Sequence, residues 1–311
     1  MKTRTLFMGT AEFALAVLEQ LYKEDVVEVV GIVSQPDREL GRKKILTATP
    51  TKKFGDEHQI PVFQPVKLRK DFQSIIDLKP DLIITCAYGQ MIPDEILVLP
   101  KLGIFNLHGS LLPYFRGGAP LQRAIMAGAI KTGMTLMKTV SKMDAGDMIA
   151  KKEVEIPQSY TYGQLSLDMQ KAAVALLHEN IESLIKGNYE SIPQDESQVS
   201  FAYNIKPEEE KIDFTKGYLQ TYNHIRALIP NPVSYALIKD QKIKFWEVEV
   251  SEITTDEPDG EILPFINDKL CVACSGRVLC FNEVQLEGKS RCSAKDLKNG
   301  YGKQLVGLIL H

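Results

Sequence analysis

No stretch of this 311-residue chain runs for about 18 apolar residues without interruption, so no membrane-spanning helix is expected. The first segment, MKTRTLFMGTAEFALAVLEQ, opens on charges as a secretory signal would. Gly9, Thr10 and Glu12 then break its apolar run, and no cleavage pattern follows. With neither signal nor transit peptide expected, a cytoplasmic location is the expectation. Cysteine is scarce: five, an odd number, in a chain too large to need covalent staples, which favours reduced thiols. Cys271 and Cys274 form a C-x-x-C, but Cys280 and Cys292 supply no second tight pair for a tetrahedral zinc site. Small buried strand thiols are expected there, and no metal. No G-x-G-x-x-G follows the first strand, where only Gly9 stands in MGTAEF, so a dinucleotide cofactor has little support. H-E-x-x-H is missing, and no G-x-S-x-G surrounds Ser110, which leaves zinc-protease and serine-hydrolase chemistry without their motifs. Positive charge is also short. The net charge is -3, so any grip on nucleic acid must rest on a local patch.

What is present fits two domains, the length being about twice that of a typical one. The first half alternates short apolar runs with amphipathic stretches. Strands are expected at Thr5–Met8, Val26–Val33, Asp81–Ala87, Gly103–Leu107 and Gly133–Val140, with helices at Phe13–Tyr22 and Asp71–Lys79. Strands and helices alternating at this spacing imply βαβ units and an open, mostly parallel α/β sheet. A long helix is expected from Tyr162 to Lys186, stopped by Gly187 and Asn188. Residues 189–208, rich in Gln, Ser, Asp, Pro and Glu, read as a linker between a catalytic domain, 1–188, and a second domain, 209–311. Beyond a helix at Lys216–Leu228, the second domain is a series of short strands, as in a small barrel or sandwich.

The densest polar cluster is GIFNLHGSLLPYFRGGAP, residues 103–120. Asn106 and His108, two apart, project from one face of an apolar strand at its carboxyl end, where α/β folds place ligands. Burying such groups unpaired would cost about 1–3 kcal/mol each, so they need partners or a task. A solvated Asn and His capping the strand is the plainer reading. Asp144 and Asp147 follow in MDAGD, where the fifth strand runs out. A turn alone explains one of them, and two invite magnesium, but no phosphate-cradling loop accompanies them. An Asp beside a His at neighbouring strand ends suits orienting and charging the imidazole. Arg38, Arg42, Lys43 and Lys44 make one basic patch within 34–51, a loop long enough to suggest function, though charge runs are more often solvated faces. Residues 209–311 hold 13 basic against 15 acidic side chains, so the second domain is not globally basic.

Asn106, His108, GSLLP, RGGAP and Asp144 within MDAGD together resemble the folate-dependent formyltransferase family. Among its members, those acting on methionyl-tRNA are the most similar in MGTAEFA, SQPDRELGRKK, PVFQP, AYGQMIP, SLLPYFRGGAPLQRAI and, more weakly, KIDF and HIRALIPNP. The resemblance implies a Rossmann-like sheet followed by an OB-like barrel. It implies transfer of the formyl group of 10-formyltetrahydrofolate, a cosubstrate, to the amino group of initiator methionyl-tRNA for translation initiation, by a monomer with no membrane partner. Asn106, His108 and Asp144 would be catalytic. Ser110, Leu111, Leu112, Pro113, Tyr88, Gly89 and Gln90 would hold the folate, and Arg42, Lys43 and Lys44 would contact the tRNA, helped by the second domain. The chain departs from the family at Val233 and Ser234, where a glycine and an aromatic are frequent. A formyltransferase for glycinamide ribonucleotide or an amino sugar, a formylfolate hydrolase, and a catalytically silent RNA-binding module are the rival readings.

Overall fold

Strand β1 (Thr3–Met8) carries Leu6, Phe7 and Met8 with no exposed surface, as a strand covered on both faces must. Helix α1 (Glu12–Lys23) buries Ala14, Val17, Leu18 and Leu21, the spacing of one helical face. Strand β2 (Val27–Val33) leads into the basic segment. That segment, expected as an open loop, carries a short antiparallel pair, β3 (Arg38–Leu40) and β4 (Ile45–Thr47). Helix α2 (Pro50–Glu57) begins at Thr49, whose side chain accepts from the Lys52 N–H, with Pro50 in the first turn where a missing N–H costs nothing. There follow β5 (Val62–Phe63), α3 (Gln73–Asp77), β6 (Leu82–Thr85), α4 (Asp94–Leu97), β7 (Ile104–His108), α5 (Pro120–Met126), β8 (Lys131–Lys138), β9 (Met148–Glu155) and α6 (Tyr162–Lys186).

This computed structural model describes residues 1–41 and 44–311, which divide into two compact units. Unit 1 is Met1–Pro120, Lys131–Glu155 and Ser166–Tyr203; unit 2 is Leu121–Ile130, Ile156–Leu165 and Asn204–His311. The sheet of unit 1 has the order β5-β2-β1-β6-β7-β8-β9. Its first five strands are parallel, while β8 and β9 run antiparallel to their neighbours. Nothing in the sequence pattern announces β9. Its Lys-Lys-Glu-Val-Glu run alternates exposed and half-buried positions, the signature of an edge strand with one wet face. Residues 189–203, linker-like in composition, lie within unit 1.

Unit 2 adds α7 (Tyr218–Ala227), β10 (Tyr235–Ile238), β11 (Gln241–Phe245), β12 (Glu249–Thr254), β13 (Ile262–Ile266), β14 (Lys269–Cys274), β15 (Arg277–Phe281), β16 (Glu283–Leu286), β17 (Cys292–Ser293) and α8 (Ala294–Asn299). Two four-stranded antiparallel sheets, β10-β11-β16-β17 and β12-β15-β14-β13, share one apolar core that includes Ile243, Phe245, Leu279 and Phe281. Asn282 alone separates β15 from β16, so the chain passes from one sheet to the other there. All five cysteines are free thiols, and Cys271 faces Cys280 across β14 and β15. Val233 is buried at φ +70, a backbone conformation for which glycine is the default and a β-branched residue an outlier.

Candidate active site

The parallel half of the sheet ends its strands on one edge, and β7 delivers Asn106 and His108 there. Asn106 stands opposite Thr85 of β6 in register, and the Thr85 hydroxyl donates to Asn106 Oδ1 at 2.8 Å. In that pairing Oδ1 faces Thr85 and the amide N–H donors lie on the other side. His108 is 6% exposed. Its Nε2 lies 3.0 Å from the Phe115 carbonyl, an acceptor only, so Nε2 carries a hydrogen and donates. The other ring nitrogen, Nδ1, faces Asp144 Oδ1 at 3.6 Å. The structure thus sets His108 against Asp144 and leaves Asn106 two residues before His108 on the same strand.

Asp144 is held by two hydrogen bonds at a tight turn. Its Oδ2 accepts the Gly117 N–H at 2.9 Å, its carbonyl accepts Gln194 Nε2 at 2.8 Å, and its own backbone is left-handed at φ +47. Gln194 Nε2 also donates to the Gly146 carbonyl. Gly146 admits no side chain: a Cβ there would sit 1.8 Å from the Lys138 carbonyl oxygen. Asp147 does not join the trio, since its Oδ2 accepts the Ser191 hydroxyl.

The loop after β7 is clamped by groups that sequence reasoning passed over. Thr135, in register with His108 on β8, donates to the Ser110 carbonyl at 2.6 Å and accepts the Leu112 N–H at 3.2 Å. Lys151 Nζ donates to the Leu112 carbonyl at 2.6 Å, and burial pushes this amine below its ordinary pKa. Ser110 Oγ donates to the Tyr114 carbonyl. Phe115, at φ +59, is turned so that its N–H donates to Ser200 Oγ while its carbonyl takes His108. Arg116, with no exposed surface, reaches Gln194 and Glu196, whose carboxyl is held down to about 2 by hydrogen bonds from Arg116 and Lys142. The only hint of Thr85 and Thr135 in the sequence was a hydroxyl inside an apolar strand.

Of the residues expected to hold the folate, Ser110, Leu112 and Pro113 are buried and Leu111 is half-buried. Tyr88 packs in the core of unit 1 with Leu6, Met8 and Val33; burial raises its phenol pKa, and its hydroxyl has no hydrogen-bond partner among the described residues. Such an orphan hydroxyl fits a ligand that supplies the missing partner. Gln90 is a brace, accepting the Leu68 N–H and donating to the Pro65 carbonyl, while Gly89 is exposed at φ +84. Arg42 and Lys43 lie outside the described residues; Lys44 is exposed in the β3–β4 connection. A groove of about 640 Å³ between α1 and α6, lined by Gln20, Val174 and His178 among others, shares none of these residues.

Known proteins resemble this chain over most of its length. Residues 1–181 match the family model described as formyl transferase, and residues 204–302 match that of the formyl transferase C-terminal domain. A methionyl-tRNA formyltransferase of Bacillus cereus (strain B4264) is 46% identical over 300 residues, spanning 96% of this chain and 95% of the relative. One from Bacillus thuringiensis (strain Al Hakam) is 44% identical over the same shares. Among solved structures, an N-formyltransferase from Helicobacter canadensis in complex with folinic acid and dTDP-3-aminofucose superposes with a TM-score of 0.68 at 18% identity, covering 90% of this chain and 98% of that one. HypX from Aquifex aeolicus in complex with tetrahydrofolic acid gives 0.66 at 18% identity, covering 98% of this chain and 48% of that one. At such identities these two speak for the fold.

Proposed function

The chain belongs to the formyl transferase family, and from that membership we propose that it moves the formyl group of 10-formyltetrahydrofolate to the amino group of methionyl-tRNA. The acceptor reading is supported by relatives of that activity sharing 46% identity along nearly the full chain, whereas the N-formyltransferase solved with dTDP-3-aminofucose shares 18%. The product, N-formylmethionyl-tRNA, serves translation initiation. The reading has a monomer acting in the cytoplasm, with the connection holding Arg42, Lys43 and Lys44 on the acceptor stem and unit 2 helping to hold the tRNA. Among the described residues, no helix is long and apolar enough to cross a membrane.

One observation supports the chemistry above others: at the end of β7 an imidazole faces a carboxylate, with an amide two residues before it on the same strand. The neutral amine adds to the formyl carbon, and the carbonyl oxygen becomes an oxyanion. Asn106, with Oδ1 engaged by Thr85, turns its N–H toward that oxygen, a preorganised donor worth about 3–4 kcal/mol in such sites. His108 donates through Nε2 to Phe115, so Nδ1 is the nitrogen that takes up and releases a proton. Asp144 faces Nδ1 and stabilises the imidazolium. Their 3.6 Å separation is longer than a hydrogen bond, as catalytic contacts often are before substrate binds. The amine thereby loses one proton and the folate nitrogen gains one as its bond to the formyl carbon breaks. Incubating the protein with 10-formyltetrahydrofolate and methionyl-tRNA tests this. Formylmethionine must appear on the tRNA, faster with initiator than elongator tRNA; release of free formate alone would mean a hydrolase.

A further inference from the structure

Arg116 is fully buried, yet the carboxylate it pairs with, Glu196, is 59% exposed and shared with Lys142. Its Nη1 has no hydrogen-bond partner among the described residues. A buried cation so loosely compensated is a poor device for stability, since an apolar side chain of similar volume often holds a fold as well or better. Its use lies in what its planar fork orients.

The fork reaches the turn that carries Asp144 through one intermediary. Arg116 Nε donates to Gln194 Oε1 at 3.0 Å, which leaves Gln194 Nε2 to donate to the carbonyls of Asp144 and Gly146, each at 2.8 Å. Turned over, that amide would set its oxygen against both carbonyls. The backbone on either side of Arg116 reaches the trio directly. The Phe115 carbonyl takes His108 Nε2 at 3.0 Å, and the Gly117 N–H holds Asp144 Oδ2 at 2.9 Å. Arg116 itself is pinned, its N–H donating to the Ser200 carbonyl at 2.9 Å and its carbonyl accepting the Ala202 N–H at 2.7 Å. Phe115 and Asp144 both sit at positive φ, +59 and +47, where residues other than glycine stay only if their surroundings hold them. Arg116 belongs to the surroundings of both.

We propose that Arg116 is a positioning residue for formyl transfer, setting Asp144 against His108 by its side chain through Gln194 and by its backbone, an inference that rests on the trio proposed above. His108 Nδ1 and Asp144 Oδ1 stand 3.6 Å apart. At that separation a small displacement of the Asp144 turn decides whether the carboxylate meets the imidazolium.

Two variants separate positioning from folding. Arg116→Lys keeps the charge but cannot span Gln194 and Glu196 with a flat fork. Gln194→Glu keeps an acceptor for Arg116 and puts an oxygen against the carbonyls of Asp144 and Gly146, so it breaks the link even if the first variant loosens the fold. Each, checked for a cooperative thermal transition, lowers kcat for formyl transfer about 10- to 100-fold and leaves the KM of both substrates within about twofold. In an Asp144→Asn background, Gln194→Glu slows transfer by less than about a further twofold, because the carboxylate it misplaces is already gone. Amide exchange followed by NMR reads the geometry without turnover. The Gly117 N–H is protected in wild type and exchanges at least about 10-fold faster in Gln194→Glu. Wild-type kcat in either variant, a loss that multiplies with that of Asp144→Asn, or unchanged Gly117 exchange overturns the proposal. Faster exchange in Gln194→Glu, with a wild type that never formylates, would sink the chemistry of the trio while leaving the positioning of Asp144 standing.

Discussion

Replacing Thr85 with Val deletes one hydroxyl beside the catalytic amide and nearly preserves shape. Thr85 is 5% exposed, and its Oγ1 donates to Asn106 Oδ1 at 2.8 Å. A net hydrogen bond of this kind contributes about 0.5–1.5 kcal/mol, and here that energy separates two orientations of the carboxamide. Without it, the flipped amide, which turns an oxygen toward the developing oxyanion, becomes comparably populated. The expected loss in kcat is about twofold, far below the ~10²- to 10³-fold that follows deletion of an oxyanion donor. Because the ground state does not use this orientation, KM for both substrates stays put. Steady-state formylation at saturating tRNA and folate measures it, and Thr85→Ser restores the rate. A loss beyond about 100-fold, or a raised KM with intact kcat, would refute the orienting role of Thr85.

Gly146→Ala forces a Cβ to within 1.8 Å of the Lys138 carbonyl oxygen, so the turn carrying Asp144 must move. Urea melts should show a loss of more than about 2 kcal/mol, and kcat should fall even in the folded fraction. Arg123 hydrogen-bonds Glu209 within unit 2 and holds its carboxyl down to about 2 from an ordinary 4.5. A depressed carboxylate stabilises above its unfolded pKa and loses that contribution as pH falls toward the folded one. Glu209→Gln is therefore less stable than wild type at neutral pH, and chemical unfolding at a series of pH values should show the difference shrinking between about pH 5 and 2.

Period and composition carried much of the fold. The apolar runs at β1, β2, β6 and β7 were legible because both faces of a central parallel strand are buried, and α1 because one stripe of it is. The edge strand β9 was not, because an edge strand half in water has few apolar positions to betray it. Nor did the pattern show that β8 reverses direction, since orientation is set by the connection and leaves no mark on the strand. Asn106 and His108 announced themselves as polar groups in an apolar strand. Gln194 and Ser200 did not, because their polar surroundings read as linker while their side chains brace Asp144 and Phe115. Val233 sits at positive φ, a conformation that the residue type alone could not reveal.

The central claim is that Asn106, His108 and Asp144 act as one unit on the formyl carbon. Single-turnover formylation of methionyl-tRNA tests it most directly, comparing wild type with Asn106→Ala, His108→Ala, Asp144→Asn and the triple variant, each checked for intact folding. Each single change should slow transfer by at least about 100-fold, and the triple should be little slower than the worst single. Wild-type speed in any one of the singles, or losses that multiply across the triple, would contradict it.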